Sequence, residues 1–315
     1  MKKQLLLLIP ALLLAGCQQS QKESQKDIDT SKLKIVCPTG APAFAFYNHA
    51  YNDNFETNSV PSNIVAMLSE SSNKDVVVID TVSGIKAINN GAPYKLAATI
   101  TFGNFFIAGT GHDDNESMDS TDKIVLFGEH QTPDLIFHYL YGNSYDSAIE
   151  YVGNVQDAAK CLISKKNAVT GSDIDYVFVA QPVLYNALQK NADAYKFIDI
   201  QDAYGQKSEG KSMIQASIFI KNSVEEDVGH KFLDELSSDI TTLLDNPETL
   251  MNTIGKENKE EMTALYGVAP EIATAVLNDN NGLGLNFSSA APNKDNIDSF
   301  ISLFSLPVTD EKIYF

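Results

Sequence analysis

The sequence contains no arginine and no tryptophan, so its 23 basic residues other than histidine are all lysines. Arginine is the side chain that holds a carboxylate or a phosphate through two parallel hydrogen bonds, and this mode of recognition is therefore excluded throughout the chain. An anionic ligand would have to be held by lysines, by hydroxyl groups or by the N–H groups at the start of a helix. Low-GC coding bias is a sufficient explanation for the missing arginine, and the constraint on ligand chemistry holds in either case.

Positive charge is scarce in the chain as a whole. It carries 41 acidic residues and a formal net charge of −18 at pH 7. A molecule with this charge repels nucleic acid and anionic membrane surfaces. We therefore expect neither of them to bind the protein through its charge.

Long apolar runs are also scarce, and the run at residues 4–14 is too short to span a membrane as a stable anchor. It follows a short basic start and leads through small residues into Cys17. This arrangement resembles a bacterial lipoprotein signal, which implies that residues 1–16 are a signal peptide and that Cys17 is lipidated as the first residue of the mature chain. An ordinary signal peptide with an incidental cysteine is the alternative.

The lipoprotein interpretation places the protein outside the cytoplasm, lipid-anchored to the outer face of the cell membrane, or in the periplasm of a Gram-negative cell. Residues 17–32 are almost entirely polar and predict a disordered tether, with the fold starting near Leu33. If Cys17 is acylated, only Cys37 and Cys161 remain, and we expect both to be buried free thiols.

A strand that feeds a helix through a polar loop is predicted around residue 130. Residues 124–127 are apolar and rich in β-branched side chains, Gly128 ends the run, and residues 129–131 form the loop. Thr132 and Pro133 then predict a helix start, with the threonine as N-cap and the proline at the first helical position.

The same design occurs earlier, where residues 33–37 predict a strand and residues 38–42 a loop. The carboxyl ends of such strands are where open α/β sheets bind ligands. Two loops of this type suggest two similar lobes that face one ligand. A single larger α/β domain with two ordinary loops explains these stretches equally well.

Further strands are predicted at residues 75–80, 94–100, 175–180, 197–200 and 213–220. Helical patterns separate most of them, and this alternation implies parallel strands with right-handed crossovers. After residue 223 the chain is mainly helical.

In this order, the segments resemble the extracellular substrate-binding lipoproteins of ABC importers, in particular the nitrate, sulfonate, taurine and thiamine-precursor group. The FG-x-x-x-TPD-x-x-F pattern that starts at Phe127 is the most specific feature. The other segments that carry the resemblance are residues 75–83, 101–109, 176–182 and 215–223.

The resemblance implies an α/β protein with a two-lobed type II periplasmic-binding-protein fold, in which each lobe is a mixed, mainly parallel sheet flanked by helices. Lobe one would comprise residues 33–105 and 214–315, and lobe two residues 106–213. The hinge would lie near residues 104–108 and 213–217, and closure would trap a ligand between the lobes. The implied partners are a small-molecule ligand and an ABC permease, and the protein would be a monomer without a cofactor, a metal ion or catalytic residues.

The resemblance also places the ligand in the loops at the carboxyl ends of the strands. The N–H groups of residues 39–42 and 130–133 would bind a polar or anionic group, and Phe44, Phe102 and Phe105 would stack on a ring. For these aromatic residues the alternative is core packing, and for Asp80 it is a helix N-cap. The sixteen residues of the predicted ligand site are Thr39, Gly40, Ala41, Pro42, Asp80, Thr81, Val82, Ser83, Phe102, Gly103, Asn104, Glu129, His130, Gln131, Thr132 and Gln181.

Three other functions are alternatives to a solute importer. The sequence has no Gly-x-Ser-x-Gly or HExxH motif and no useful Cys–His spacing, which disfavours an enzyme. The cysteine-rich iron motif of the yeast thiamine-pyrimidine enzymes, which have a similar fold, is also absent. An oxyanion receptor and a signalling receptor of the same fold remain as alternatives. The missing arginine favours a small organic ligand of low charge, of an aromatic or heterocyclic kind.

Overall fold

A computed structural model describes residues 28–111, 117–255 and 258–315. The predicted signal peptide, Cys17 and most of the predicted tether lie outside the described residues. No helix within the described ranges is long and apolar enough to cross a membrane.

The structure contains two β-sheets and the helices that pack on them. The strands are β1 (Ile35–Pro38), β2 (Phe55–Asn58), β3 (Val76–Asp80), β4 (Tyr94–Thr101), β5 (Phe105–Gly109), β6 (Ile124–Phe127), β7 (Ile149–Val152), β8 (Tyr176–Ala180), β9 (Tyr195–Asp199), β10 (Ala216–Lys221) and β11 (Leu285–Ser289). The α-helices are α1 (Pro61–Ala66), α2 (Thr81–Asn89), α3 (Thr132–Tyr141), α4 (Val155–Ser164), α5 (Val183–Lys190), α6 (Ile200–Lys207), α7 (Glu226–Asp245), α8 (Glu248–Ile254), α9 (Lys259–Tyr266), α10 (Pro270–Asn278) and α11 (Lys294–Ser302). Short 3₁₀ helices are η1 (Thr30–Lys32), η2 (Ala41–His49), η3 (Ala291–Asn293) and η4 (Glu311–Ile313).

The first sheet has the order β11-β4-β10-β3-β1-β2, and the second has the order β7-β6-β8-β5-β9. In the first sheet β1, β2 and β3 are parallel, and β10 is antiparallel to both β3 and β4. In the second sheet β6, β7 and β8 are parallel, and β5 is antiparallel to β8 and β9. We call each sheet with the helices that pack on it a lobe. Each is a mixed, mainly parallel sheet flanked by helices, so the predicted α/β fold class is confirmed.

The chain passes from the first sheet to the second through residues 102–104 and returns through residues 208–215. The entering strands β5 and β10 therefore begin at the edge where the parallel strands of each sheet end. This arrangement turns the carboxyl edges of β1, β3 and β4 toward those of β6, β8 and β9. The two crossings thus place two potential ligand-binding edges opposite each other.

Burial explains why the predicted strands form. All five residues of β8 are buried, as are the first four of β3, which is the pattern of strands covered by helices on both faces. The amphipathic stripe of α7 packs against η2 and β11 with Phe232, Leu236, Ile240 and Leu243 buried. Burying side chains of this size contributes about 1.5–3 kcal/mol each to folding.

Several local features differ from the sequence prediction. Strands β2, β7 and β11 and helix α6 were not predicted, since each is short or lacks a regular apolar period. Thr132 was predicted to be the N-cap of α3, and this is wrong because Thr132 is already the first helical residue. Gln131 is the N-cap, and its side chain makes no capping hydrogen bond.

The end of the predicted tether is ordered. Residues 30–32 form η1, and the hydroxyl of Thr30 donates a hydrogen bond of 2.5 Å to Glu235 on α7. Lys231 donates a bond of 2.8 Å to the carbonyl of Ile28. The fold therefore includes a few residues before Leu33.

The prediction for the two cysteines is confirmed, since Cys37 and Cys161 are both free and buried. Burial raises the pKa of each thiol, so both remain protonated and act as small apolar residues.

Candidate functional site

The predicted ligand site lies along the facing edges of the two sheets. Thr39 and Gly40 follow β1, Asp80 ends β3, and residues 102–104 follow β4. In the second lobe, residues 129–131 follow β6, and Gln181 follows β8. The fold therefore brings these separate loops to the same interface between the lobes.

The loop after β1 leads into η2 with most of its N–H groups already bonded. The N–H of Thr39 donates to the carbonyl of Asn58 at 3.3 Å, and that of Gly40 donates to the carbonyl of Tyr266 at 2.8 Å. Gly40 has φ 99°, a conformation that favours glycine. Ala41 is buried and Pro42 has no N–H, so little of this loop is free to bind an anion.

Tyr266 lies beside this loop and was not among the predicted ligand-site residues. Its ring stacks on Phe44 with centroids 4.6 Å apart, and its buried hydroxyl has no hydrogen-bond partner. Phe44 is fully buried in this contact, so core packing is its observed role. A buried hydroxyl without a partner is uncommon in proteins and marks Tyr266 as a candidate ligand contact.

Asp80 is the N-cap of α2, which is the role that the sequence offered as the alternative to a ligand contact. Its carboxylate accepts a hydrogen bond of 2.8 Å from the N–H of Ser83. Burial raises the pKa of Asp80, and the hydrogen bonds from Ser83 offset only part of this effect. The cap and a ligand contact are compatible, since a carboxylate has two oxygens.

The next two residues face the protein interior. The hydroxyl of Thr81 lies 2.7 Å from that of Ser217, and its N–H donates to the carbonyl of Gln215 at 3.1 Å. Val82 is 4 % exposed and belongs to the apolar core. These two predicted site residues therefore hold α2 against β10.

Asn104 joins the two crossings. Its amide nitrogen donates to the carbonyl of Gln181 at 2.8 Å, and its amide oxygen accepts a bond of 3.0 Å from the side chain of Gln215. The N–H of Gln181 donates back to the carbonyl of Asn104 at 2.9 Å. Since Asn104 is 6 % exposed, these bonds form a buried polar junction between the first crossing, the second crossing and β8.

Gln181 and Gln215 each leave one side-chain atom unpaired at this junction. The Oε1 of Gln181 accepts from the N–H of Tyr185 at 3.0 Å and so caps α5. Its Nε2 is buried without a partner, and so is the Oε1 of Gln215. An unpaired buried donor or acceptor costs about 1–3 kcal/mol, so both atoms are candidates for bonds to a ligand.

The loop after β6 is exposed and is held in place by a residue that the prediction did not include. The carboxylate of Asp134 accepts bonds from the N–H of His130 at 2.7 Å and from the hydroxyl of Tyr151 at 2.8 Å. The N–H of Gln131 donates to the carbonyl of Gly128 at 2.9 Å. Asp134 lies in the first turn of α3 and is not among the sixteen predicted site residues.

The side chain of His130 is 88 % exposed, and Glu129 and Gln131 are exposed as well. No hydrogen bond among the described residues joins residues 129–132 to residues 39–42. These two loops therefore face each other across the interface without direct polar contact.

The remaining aromatic candidates differ in exposure. Phe105 packs against Phe178 with centroids 5.3 Å apart and is 5 % exposed, so it belongs to the core. Phe102 is partly exposed, and with Gly103 it lines a cavity of about 510 Å³. This cavity lies beside β9 and β11, across the crossings from the loops that follow β1 and β6. Fourteen of the sixteen predicted residues therefore do not line it.

The charge around the predicted ligand site is negative. The set contains two carboxylates, Asp80 and Glu129, and no lysine. In the ranges that the structure covers, no group of three or more His, Cys, Asp or Glu side chains is arranged to hold a metal ion.

No family model matches the chain, and no curated protein matches its sequence. Solved structures do match. An ABC transporter protein from Parabacteroides distasonis aligns with a TM-score of 0.68 at 17% identity, over 87% of this chain and 91% of that one. The periplasmic aliphatic sulphonate binding protein SsuA from Escherichia coli aligns with a TM-score of 0.60 at 11% identity, over 90% of this chain and 91% of that one.

A third match is the ligand binding component of an ABC-type import system from Staphylococcus aureus, solved with zinc bound. It aligns with a TM-score of 0.62 at 11% identity, over 90% of this chain and 95% of that one. At such identities the likeness is one of fold. Together with the two sheets and their double crossing, it shows that this chain has the two-lobed fold of the type II periplasmic binding proteins.

Proposed function

We propose that this protein is an extracytoplasmic solute receptor that binds a small organic molecule between its lobes and delivers it to an ABC permease. The observation that carries this proposal is the buried junction of Asn104, Gln181 and Gln215 at the two crossings. It lies where the ligand-binding edges of both sheets meet, and it has an unpaired donor and an unpaired acceptor.

The crossings at residues 102–104 and 208–215 act as the hinge. Closure would bring α5 of the second lobe further onto the first lobe, where Val183 and Tyr185 already pack against the core cluster. Lipidation of Cys17 would hold the receptor, as a monomer, beside the permease.

The chemistry of the junction favours a neutral ligand. A heterocycle that carries an acceptor beside an N–H group would pair with the Nε2 of Gln181 and the Oε1 of Gln215. An oxyanion is less suited, because the N–H groups of residues 39, 40, 130 and 131 already have protein acceptors. The unpaired donor and acceptor of the junction do not specifically favour a signalling role or an enzymatic role.

The test is a thermal-shift screen of the full chain with Cys17→Ser against pyrimidines, other heterocycles, nucleobases, sulfonates and oxyanions. A ligand at 100 times its Kd stabilises the protein by about 2.7 kcal/mol, which raises the melting temperature by several degrees. We expect a neutral heterocycle to give this shift and X-ray scattering to show a more compact protein with the ligand bound.

Gln181→Glu then locates the site. It keeps the oxygen that caps α5 and removes the Nε2 donor, so we expect about tenfold weaker binding of the ligand found in the screen. Gln189→Glu, on the exposed end of the same helix, is the charge-matched control and should bind normally. Equal binding by both variants would exclude the junction as the ligand site.

A further inference from the structure

The cavity of about 510 Å³, which we call the rear cavity, is built from three parts of the chain that belong to both lobes. Its lining comes from residues 102–106 at the first crossing, residues 196–202 of β9 and α6, and residues 279–286 before and at the start of β11. Phe102 and Gly103 at the first crossing belong to both the rear cavity and the predicted ligand site, whereas the loops of that site that follow β1, β3, β6 and β8 lie on the other side of the crossings. The rear cavity is therefore separate from the site of the proposed function.

The charged side chains of the rear cavity are three aspartates and one lysine, which gives a formal charge of −2. The lysine, Lys196, forms an ion pair with Asp279. Asp199 and Asp202 form no ion pair within the described ranges of the chain. Burial raises the pKa of Asp199, and the nearby charge of Asp202 adds to this effect, whereas backbone hydrogen bonds and the charge of Lys196 offset part of it. The nearby cation is therefore one lysine that already pairs with Asp279.

The wall of the cavity already holds one ammonium group. The Nζ of Lys196 lies 5.2 Å from the centroid of the Phe106 ring while it pairs with Asp279. An aromatic face beside a carboxylate is a favourable environment for an organic cation. Lys196 thus shows, within the chain, the kind of contact that a ligand cation would make.

An unpaired acceptor narrows the class of cation. The Oε1 of Gln201 is buried without a hydrogen-bond partner, and Gln201 lines the cavity next to Gly103. A carbonyl oxygen needs an N–H or O–H donor, which a primary ammonium group provides and a quaternary ammonium group does not.

We propose that the rear cavity is a second binding site that takes a small primary ammonium compound with an apolar body. The ammonium group donates to the Oε1 of Gln201 and to the carboxylates of Asp199 and Asp202. The apolar body lies against the rings of Phe102 and Phe197, which also line the cavity.

The test uses calorimetric titration of the full chain carrying Cys17→Ser with phenethylammonium. The neutral analogue 2-phenylethanol and the quaternary cation tetramethylammonium are titrated in parallel. We expect saturable binding of phenethylammonium that is about tenfold or more tighter than binding of either comparison compound, because each lacks either the charge or the N–H donors.

Asp199→Asn places the binding in the rear cavity. Asn keeps the side-chain oxygen that accepts from the N–H groups of Gln201 and Asp202 at 2.9 and 3.3 Å, so α6 remains capped. Asp310→Asn is the matched control, because Asp310 caps η4 in the same way and does not line the cavity. We expect Asp199→Asn to weaken binding about tenfold and Asp310→Asn to leave it unchanged.

Absence of saturable phenethylammonium binding would overturn the proposal, as would equal binding by 2-phenylethanol or by Asp199→Asn. Loss of binding in Gln181→Glu, with Asp199→Asn unaffected, would also overturn it by placing the amine at the junction. The receptor proposal is tested separately, by its own screen and by the compaction measured in solution.

Discussion

Asn104→Ala tests whether the junction between the crossings stabilises the fold. The substitution removes two hydrogen bonds, from the amide of Asn104 to the carbonyl of Gln181 and from Gln215 to the oxygen of Asn104. The carbonyl of Gln181 and the Nε2 of Gln215 then lose these partners in a buried region. An unsatisfied buried group costs about 1–3 kcal/mol, so with two such groups we expect the free energy of unfolding to fall by about 2–6 kcal/mol.

The assay is urea unfolding followed by circular dichroism, with the midpoint and the slope fitted for each variant. Asn90→Ala is the control, since Asn90 is exposed at the end of α2, and its effect should stay within about 0.5 kcal/mol. Asn104→Asp keeps the acceptor for Gln215 but places an oxygen against the carbonyl of Gln181, so it should destabilise at least as much as Asn104→Ala. A loss below about 0.5 kcal/mol for both Asn104 variants would refute the role of the junction.

Two further predictions concern backbone approach and pH. Gly284→Ala would place a Cβ 2.0 Å from the carbonyl oxygen of Gly103. Gly171 has a similar positive φ but open space around it, so we expect thermal unfolding to show a larger loss of stability for Gly284→Ala than for Gly171→Ala. Equal losses in the two variants would contradict the close approach of Gly284 to Gly103. Asp80→Asn keeps the cap of α2 and removes a carboxylate whose pKa is raised by burial above 3.8. A raised carboxylate pKa makes the folded state bind more protons than the unfolded state. The wild type should therefore lose stability relative to Asp80→Asn as the pH rises from about 3.8 through the pKa of Asp80 in the folded protein. Parallel curves of stability against pH for the two proteins, from pH 3.5 to 7, would contradict this.

The sequence predicted the elements whose burial has a regular local pattern. Strands β3, β6 and β8 are short apolar runs, and each forms a buried strand as expected. The buried residues of α7 also follow a regular pattern, because apolar residues on one face of a helix recur in the sequence with a period of 3.6 residues. Short elements such as β2 lack such a pattern, since their position depends on the strand beside them.

The candidate site was predictable only in part. The loops that follow buried strands could be identified, because parallel strands end at a common edge. The side chains that complete the site could not, and Tyr266, Gln215 and Asp134 gave no signal beyond ordinary helix, strand or capping patterns. Tyr266 and Gln215 act through a ring contact and a hydrogen bond with residues that are distant in the sequence. Asp134 acts through a hydrogen bond to the backbone of the loop just before its helix.

Composition by itself determined that this protein cannot use arginine to bind a ligand and that its net charge is strongly negative. Local patterns determined an α/β protein with polar loops after its strands. Only the tertiary structure decided which atoms of those loops are free. The N–H groups of Thr39 and Gly40 are bonded to Asn58 and Tyr266, and the unpaired atoms lie on Gln181 and Gln215 instead. The reason is physical, since hydrophobic periodicity records local burial, whereas the partner of a buried polar atom is set by how two distant segments cross.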